Sequence, residues 1–225
     1  MPFRIHDPMD VYTGTRRIRG SNDFIEKVWS FIDDLNDWIR SICDEMLIPV
    51  VDLNKIFRRE DDPNRLDPRY SVGDHAHLSL EGQKKLAEAF YENYFAETDD
   101  FEVVVCLGDS HTQGYPMRTD ISTNGLPVDP KTHSKNQFPY WLAKRTGKTF
   151  INRGIAGNTV YGMRGRFNSE VLPHMPDHCI ILGGTNDALL GTPLDDTKND
   201  LEKLYGSCVE AEVIPVAATL IPMDL

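Results

Sequence analysis

Residues 101–110, FEVVVCLGDS, decide the fold of this chain. Residues 103–107 form an unbroken apolar run rich in valine, which is typical of a strand buried on both faces, because a half-exposed strand alternates apolar and polar side chains. A glycine ends the run, and Asp109 and Ser110 follow it directly. The stretch therefore predicts a central strand with polar side chains at its carboxyl end.

Four more short apolar runs predict strands at residues 48–53, 149–152, 179–182 and 213–220. Apolar residues at three- and four-residue steps predict the helices that separate them, at residues 21–46, 80–95, 137–145, 159–172 and 193–212. Such alternation produces a parallel sheet covered by helices on both faces. The sequence thus predicts an α/β fold of three layers, with loops at residues 1–20, 58–69 and 115–136.

Bulk properties limit the class of protein. A length of 225 residues with 40% hydrophobic residues suits one globular domain. The net charge of −11 opposes binding to nucleic acid or to anionic membranes. The start lacks the apolar core of a signal peptide, and no run approaches the roughly 18 apolar residues of a membrane helix, which predicts a soluble, cytoplasmic protein. The cysteines form no CxxC pair and are predicted to be buried, reduced thiols, at Cys43, Cys106, Cys179 and Cys208.

Three of the predicted strands run directly into loops of small and polar residues, GDSHTQG at 108–114, GIAGNT at 154–159 and GGTND at 183–187. In a parallel α/β sheet, ligands bind beyond the carboxyl ends of the strands. A purely structural connection does not need this mixture of residues three times. The convergence predicts a functional site at this edge of the sheet.

Ser110 is the candidate nucleophile in the first of these loops. A serine on a tight turn between a strand and a helix is held exposed, and the helix N-terminus stabilises developing negative charge. A serine also needs a base to become reactive. An ordinary helix N-cap is the alternative role for this residue.

Seven histidines could supply that base. His77 stands out because Asp74-x-x-His77 can bring a carboxylate and an imidazole together within one turn, where the carboxylate fixes the tautomer. A helix-entry role and a metal site shared with His75 are the alternatives, although this set is incomplete for zinc. His111 adjoins Ser110, from which its side chain should diverge. The remaining histidines are expected in loops or at the surface, at His6, His133, His174 and His178.

Attack by a serine leaves an oxyanion that needs hydrogen-bond donors. The backbone N–H groups of Ser110 and Gly157 and the side-chain amide of Asn186 are candidates, and a turn asparagine is the alternative for Asn186. Three arginines near the glycine loop could meet an acidic substrate, but a solvated helix face is the expected role of Arg153, Arg164 and Arg166.

Together these segments resemble the four blocks of the SGNH (GDSL) hydrolase family, and DHAHLSLEGQKKLAEAF at 74–90 is similar to the closing segment of that family. The resemblance implies Ser110 as nucleophile, His77 as base and Asp74 as its orienting carboxylate. It also implies an oxyanion hole of Ser110, Gly157 and Asn186, and a flavodoxin-like sheet of strand order 2-1-3-4-5. The supporting residues of the same blocks are Gly108, Asp109, Asn158 and Asp187. His111 stands where the name-giving motif has leucine.

The block order departs from the family, because Asp74 and His77 precede Ser110. The resemblance therefore implies a single circularly permuted domain over residues 1–225, in which residues 1–98 correspond to the C-terminal half of the family and residues 99–225 to its N-terminal half. Residues 96–100 can span at most about 17 Å, enough to join the halves. Strand 48–53 should lie at one edge and pair with strand 213–220. A half-swapped dimer and a truncated upstream domain are the alternatives, and the single set of five strands argues against the second.

The resemblance implies an esterase without cofactor or metal. Small, short-acyl esters are the expected substrates, because they fit a cytoplasmic enzyme and the sequence shows no strongly apolar lid. A non-catalytic flavodoxin-like binding module is the main alternative, although neither GxGxxG spacing nor a Walker lysine is present to cradle phosphate. A metal-dependent hydrolase using His75 and His77 is the third. Residues 1–20 and 115–136 are expected to line the pocket, and homo-oligomer formation is left open.

Overall fold

A computed structural model describes residues 22–225. Its helices are α1 (Asn22–Met46), α2 (Leu53–Phe57), α3 (Leu80–Asn93), α4 (Ser110–Gln113), α5 (Phe138–Thr146), α6 (Val160–Glu170), α7 (Thr185–Leu190) and α8 (Leu194–Glu210). Its strands are β1 (Val50–Val51), β2 (Val103–Gly108), β3 (Thr149–Gly154), β4 (His178–Leu182) and β5 (Ile214–Ala218). The expectations for residues 1–20, including His6, lie outside the described residues.

All five strands are parallel and lie in the order β1-β5-β4-β2-β3. If β2, β3, β4, β5 and β1 are renumbered 1 to 5, the sheet read from β3 to β1 has the order 2-1-3-4-5, as predicted. The edge pairing is also confirmed, since Val50 pairs with Ala217 and Val51 with Ala218. The edge strand is only two residues long, shorter than the predicted run of residues 48–53.

Alternate residues of β2 contribute to two cores on opposite faces of the sheet. Val105 and Leu107 belong to the core that includes Leu35 of α1 and Leu204 of α8. Val104 and Cys106 belong to the core that includes Phe90 of α3 and Leu142 of α5. The three-layer α/β/α architecture follows from this alternation, because each face of the sheet buries its own set of helices.

The connection between the predicted halves is short and partly buried. Helix α3 ends at Asn93, and strand β2 begins at Val103. Phe95 and Phe101 are buried, with ring centroids 5.0 Å apart. Residues 96–100 thus connect α3 to β2 between two buried aromatic side chains.

Two expectations for segments away from the site are wrong. Residues 58–69 are not simply an exposed loop, because Leu66 and Asp67 are buried. His178 is not a surface residue either, since it is 1% exposed and its ring lies against Tyr94 and Phe101, at centroid distances of 5.5 and 5.4 Å. Within residues 22–225, neither ring nitrogen of His178 has a hydrogen-bond partner.

Burial penalises the imidazolium and lowers the pKa of His178 below its ordinary value of 6.5, although Asp177 opposes the shift. Below pH 6.5 the unfolded chain therefore binds a proton at this histidine more readily than the folded chain does. As a result, the free energy of unfolding decreases as the pH is lowered. We expect His178→Phe to reduce this fall, which for one proton is at most about 1.4 kcal/mol per pH unit. Urea unfolding at pH 8, 6 and 5 measures it, with pH 8 as the reference. Equal slopes in both proteins would contradict the expectation.

Candidate active site

Asp74, His77 and Ser110 form one hydrogen-bonded series at the carboxyl edge of the sheet. Ser110 Oγ lies 3.2 Å from His77 Nε2, and His77 Nδ1 lies 2.7 Å from Asp74 Oδ2. The side chains of His77 and Ser110 are buried. A single chain supplies all three groups, so this arrangement does not require the exchange of halves between two chains.

The turn before α3 holds the carboxylate of Asp74 by backbone hydrogen bonds. Asp74 Oδ1 accepts hydrogen bonds from the backbone N–H groups of Ala76 and His77, at 3.1 and 2.8 Å. Burial alone would raise the pKa of Asp74, but the hydrogen bonds from His77 outweigh it and lower that pKa to about 2. Asp74 is therefore a carboxylate at neutral pH and accepts from His77 Nδ1–H. This leaves Nε2 to accept the Ser110 hydroxyl proton.

Ser110 is the first residue of α4, and only Asp109 separates it from the end of β2. Asp109 caps this helix, since its Oδ1 accepts from His111 N–H at 2.9 Å. Gly108 is required by close packing, because a Cβ there would collide with the Thr112 side chain and the Leu182 carbonyl oxygen. The end of β2, the close packing at Gly108 and the Asp109 cap together hold the Ser110 hydroxyl within hydrogen-bond distance of His77.

Two further loops meet this turn. The loop after β3, which contains Gly157 at φ +79°, is tied to α4 because Ala156 N–H donates to Gln113 Oε1 at 3.0 Å. Asn186, in the first turn of α7, donates from Nδ2 to the Asn158 carbonyl oxygen at 3.1 Å. The three predicted oxyanion residues thus lie on three loops that are bonded to one another.

Asp187 fastens the same loops from the interior. Its Oδ2 accepts from the Val160 N–H at 3.1 Å, which joins α7 to the start of α6. The four predicted supporting residues therefore all sit in the turns that carry the site: Gly108, Asp109, Asn158 and Asp187.

His111 has a structural position that the sequence did not reveal. It is buried, its Nε2–H donates to the Ala76 carbonyl oxygen at 3.0 Å, and its Nδ1 lies 3.3 Å from Asp109 Oδ1. Burial would lower its pKa, but Asp109 and the Ala76 carbonyl together raise it. His111 thus diverges from the Ser110 hydroxyl, as predicted, and links the serine turn to the histidine turn.

His75 points away from His77, toward the end of the chain. Its Nδ1 lies 3.0 Å from Asp224 Oδ2, and Asp224 N–H donates to the His75 carbonyl oxygen at 2.7 Å. Arg65 bonds the other carboxylate oxygen of Asp224 at 2.8 Å. Residues 22–225 contain no group of three His, Cys, Asp or Glu side chains that could hold a metal ion.

These contacts brace the turn that carries Asp74 and His77, in which His75 adopts φ +72°. We expect Asp224→Ala to lower kcat for ester substrates by about tenfold, because the turn loses its support and small displacements of a base are costly. Asp62→Ala is the matched control, since Asp62 also pairs with Arg65, at 2.9 Å, but does not touch His75. Equal effects of both substitutions on kcat would contradict a role for the contact with His75.

The arginines near the glycine loop occupy different environments. Arg153 Nη2 lies 3.0 Å from His174 Nε2, and Arg164 pairs with Asp200 at 3.0 Å. Arg153 lies in strand β3 and Arg166 is 9% exposed, so the expectation of a solvated helix face is wrong for both residues. The four cysteines are free and buried, as predicted.

Comparison with known proteins identifies proteins similar to about half of the chain. A model of the GDSL-like lipase/acylhydrolase family matches residues 106–224, slightly more than half of the chain. The uncharacterized lipoprotein YqeF of Bacillus subtilis (strain 168) is 30% identical over 134 residues, 55% of this chain and 50% of that protein. The chain thus spans about half the length of this curated relative.

Two solved structures are similar over about half of the chain. A proposed lipolytic protein of the G-D-S-L family from Desulfitobacterium hafniense DCB-2 shares 26% identity at a TM-score of 0.45, over 53% of this chain and 60% of that one. Axe2, an acetylxylan esterase from Geobacillus stearothermophilus, shares 20% identity at a TM-score of 0.40, over 52% of this chain and 58% of that one.

Among residues 22–225, no helix is both long enough and apolar enough to cross a membrane.

Proposed function

Since the chain belongs to the GDSL-like lipase/acylhydrolase family, we propose that it is a serine esterase that cleaves small, short-acyl carboxylic esters through an acyl-enzyme intermediate. The observation that carries this proposal is the series Asp74–His77–Ser110, with hydrogen-bond distances of 2.7 and 3.2 Å. A base within reach of a serine hydroxyl, itself held by a carboxylate, is the arrangement that makes serine nucleophilic.

In the first half-reaction, Ser110 Oγ attacks the ester carbonyl carbon while its proton passes to His77 Nε2. The bond to the alcohol oxygen then breaks, and His77 returns the proton to the leaving alcohol. In the second half-reaction, water attacks the acyl carbon while its proton passes to His77. The bond from that carbon to Ser110 Oγ then breaks, His77 returns the proton to Ser110 Oγ, and the carboxylic acid is released. Asp74 stays ionised and stabilises the imidazolium that forms in each half, consistent with its pKa of about 2.

The oxyanion of each tetrahedral intermediate would accept from the backbone N–H groups of Ser110 and Gly157 and from the Asn186 side chain. An asparagine amide has two hydrogens. One donates to the Asn158 carbonyl, and we assign the second to the oxyanion. Support comes from the bonds that fasten these three loops together before any substrate arrives, because preorganised donors are the effective ones.

Residues 1–225 would form one domain of the family with its halves in exchanged order. Residues 1–98 would correspond to the C-terminal half and residues 99–225 to the N-terminal half. The matched stretch supports this assignment, because it contains Ser110, Gly157 and Asn186 but excludes Asp74 and His77. The edge position of β1 beside β5 agrees with it.

Loop residues 115–136 would line the substrate pocket, and Tyr115 supports this, since its ring lies edge-on to His77 at a centroid distance of 5.1 Å. No cofactor is required by the chemistry described. A cytoplasmic location and the absence of nucleic-acid partners stay predictions, and the formation of a homo-oligomer stays open.

Hydrolysis of p-nitrophenyl acetate, butyrate and octanoate tests the function. We expect turnover of the first two, a kcat/KM at least about tenfold lower for octanoate, and no effect of EDTA. Faster turnover of octanoate would overturn the short-acyl assignment, and inhibition by EDTA would favour a metal-dependent hydrolase. A folded protein that turns over none of the three would favour the non-catalytic binding module.

A further inference from the structure

Arg166 is a buried cation behind the proposed active site. Its side chain extends from α6, and its guanidinium makes three hydrogen bonds. Nε donates to Asn158 Oδ1 at 2.8 Å, Nη2 to the Gly108 carbonyl oxygen at 2.9 Å, and Nη1 to Glu170 Oε2 at 2.9 Å. All three nitrogens of one planar group are therefore occupied by different parts of the chain.

Two of these partners belong to the loops that carry the oxyanion donors. Gly108 precedes the Asp109–Ser110 turn, and Asn158 directly follows Gly157. The carbonyl oxygen of Asn158 in turn accepts from Asn186 Nδ2 at 3.1 Å. One guanidinium thus joins the serine loop to the glycine loop and, through Asn158, reaches the asparagine loop.

We propose that Arg166 is a positioning residue of the oxyanion hole, which fixes the spacing of the Ser110 and Gly157 amides and the orientation of the Asn186 side chain. This inference rests on the proposed esterase function. Arginine suits the role because its planar fork holds several acceptors at fixed angles, whereas the lysine ammonium is a single point charge on a flexible stem.

The charge of Arg166 is compensated locally. Burial lowers its pKa, and the carboxylate of Glu170 opposes that shift. The ion pair with Glu170 joins two residues of α6 and by itself contacts no loop of the site. The other two guanidinium nitrogens, Nε and Nη2, instead donate to Asn158 and Gly108, which lie in the loops of the site.

Substitution separates a positioning role from a structural one. Arg166→Met should lower kcat for p-nitrophenyl acetate by about 10²-fold, with little change in KM, because donors displaced by a fraction of an ångström fail mainly in the transition state. The affinity for a trifluoromethyl ketone, which forms a tetrahedral oxyanion adduct with serine, should fall by a similar factor. Arg166→Lys should recover only part of both losses.

Arg164→Met is the matched control, because Arg164 lies on the same helix and pairs with Asp200 instead. We expect it to keep kcat within about twofold of the wild type. Circular dichroism and urea unfolding verify that each variant is folded, and Arg166→Lys decides the matter if Arg166→Met does not fold. A folded Arg166 variant with unchanged kcat, or with lowered kcat and unchanged affinity for the ketone, would overturn the positioning role. Lack of turnover by the wild type would contradict the esterase function itself, and this inference with it.

Discussion

Ser110→Ala is expected to lower kcat for p-nitrophenyl acetate by about 10⁶-fold, with the fold intact. The hydroxyl oxygen forms the covalent bond to the acyl group, and no other group in the proposed mechanism can replace it. Loss of one oxygen leaves the neighbouring contacts of α4 in place, because the cap from Asp109 and the Gly114 N–H bond to the Ser110 carbonyl do not involve the side chain. Initial rates of the purified variant measure the effect.

The matched control is Ser207→Ala, which removes an exposed hydroxyl whose bond is to the Lys203 carbonyl within α8. This control should keep the wild-type rate. A Ser110→Ala protein that keeps more than about 1% of the activity would show that another nucleophile, or water activated directly, carries the reaction.

His77→Gln is expected to be nearly as damaging, with a loss in kcat of about 10⁵- to 10⁶-fold. Glutamine can occupy the space of the imidazole but cannot take the proton from Ser110 or return it to the leaving group. The loss should appear mainly in kcat, because His77 transfers protons in the transition state and does not bind the ester in the ground state. Rates at pH 7 and pH 9 measure it, since hydroxide at the higher pH can partly replace the base.

His75→Gln provides the control for this prediction. His75 lies on the same turn two residues away, but its ring contacts Asp224. We expect a loss of at most about tenfold, comparable to that from Asp224→Ala. A metal site shared by the two histidines would instead make both substitutions equally severe, which contradicts the arrangement proposed for His77.

Strands and site blocks were the predictable part of this molecule. Residues 103–107 form an unbroken apolar run because β2 is buried on both faces, and the pattern reports that burial directly. The order of the sheet needed one further step, since β1 pairs with β5 across most of the chain. The resemblance to the family supplied that step, once the two halves of this chain were expected in exchanged order, whereas the apolar pattern alone did not.

Short helices and long-range side-chain contacts were not predictable. Helices α4 and α7 have four and six residues, too few to show a period. The contact of His75 with Asp224 joins residues 149 positions apart. Arg166 was expected on a solvated face because α6 carries several polar residues, and only the loops folded over it make it a buried cation. His178 was misjudged for the same reason, since the aromatic side chains around it come from other segments.

Covalent labelling tests the central claim most directly. The wild-type protein, Ser110→Ala and His77→Gln are incubated with a fluorophosphonate, and the adduct is located by mass spectrometry of peptides. The proposed mechanism predicts one phosphonyl group per wild-type chain, on the peptide that contains Ser110, no adduct in Ser110→Ala and strongly slowed labelling in His77→Gln. Ester hydrolysis by a wild-type protein that is labelled at another residue, or is not labelled at all, would contradict it.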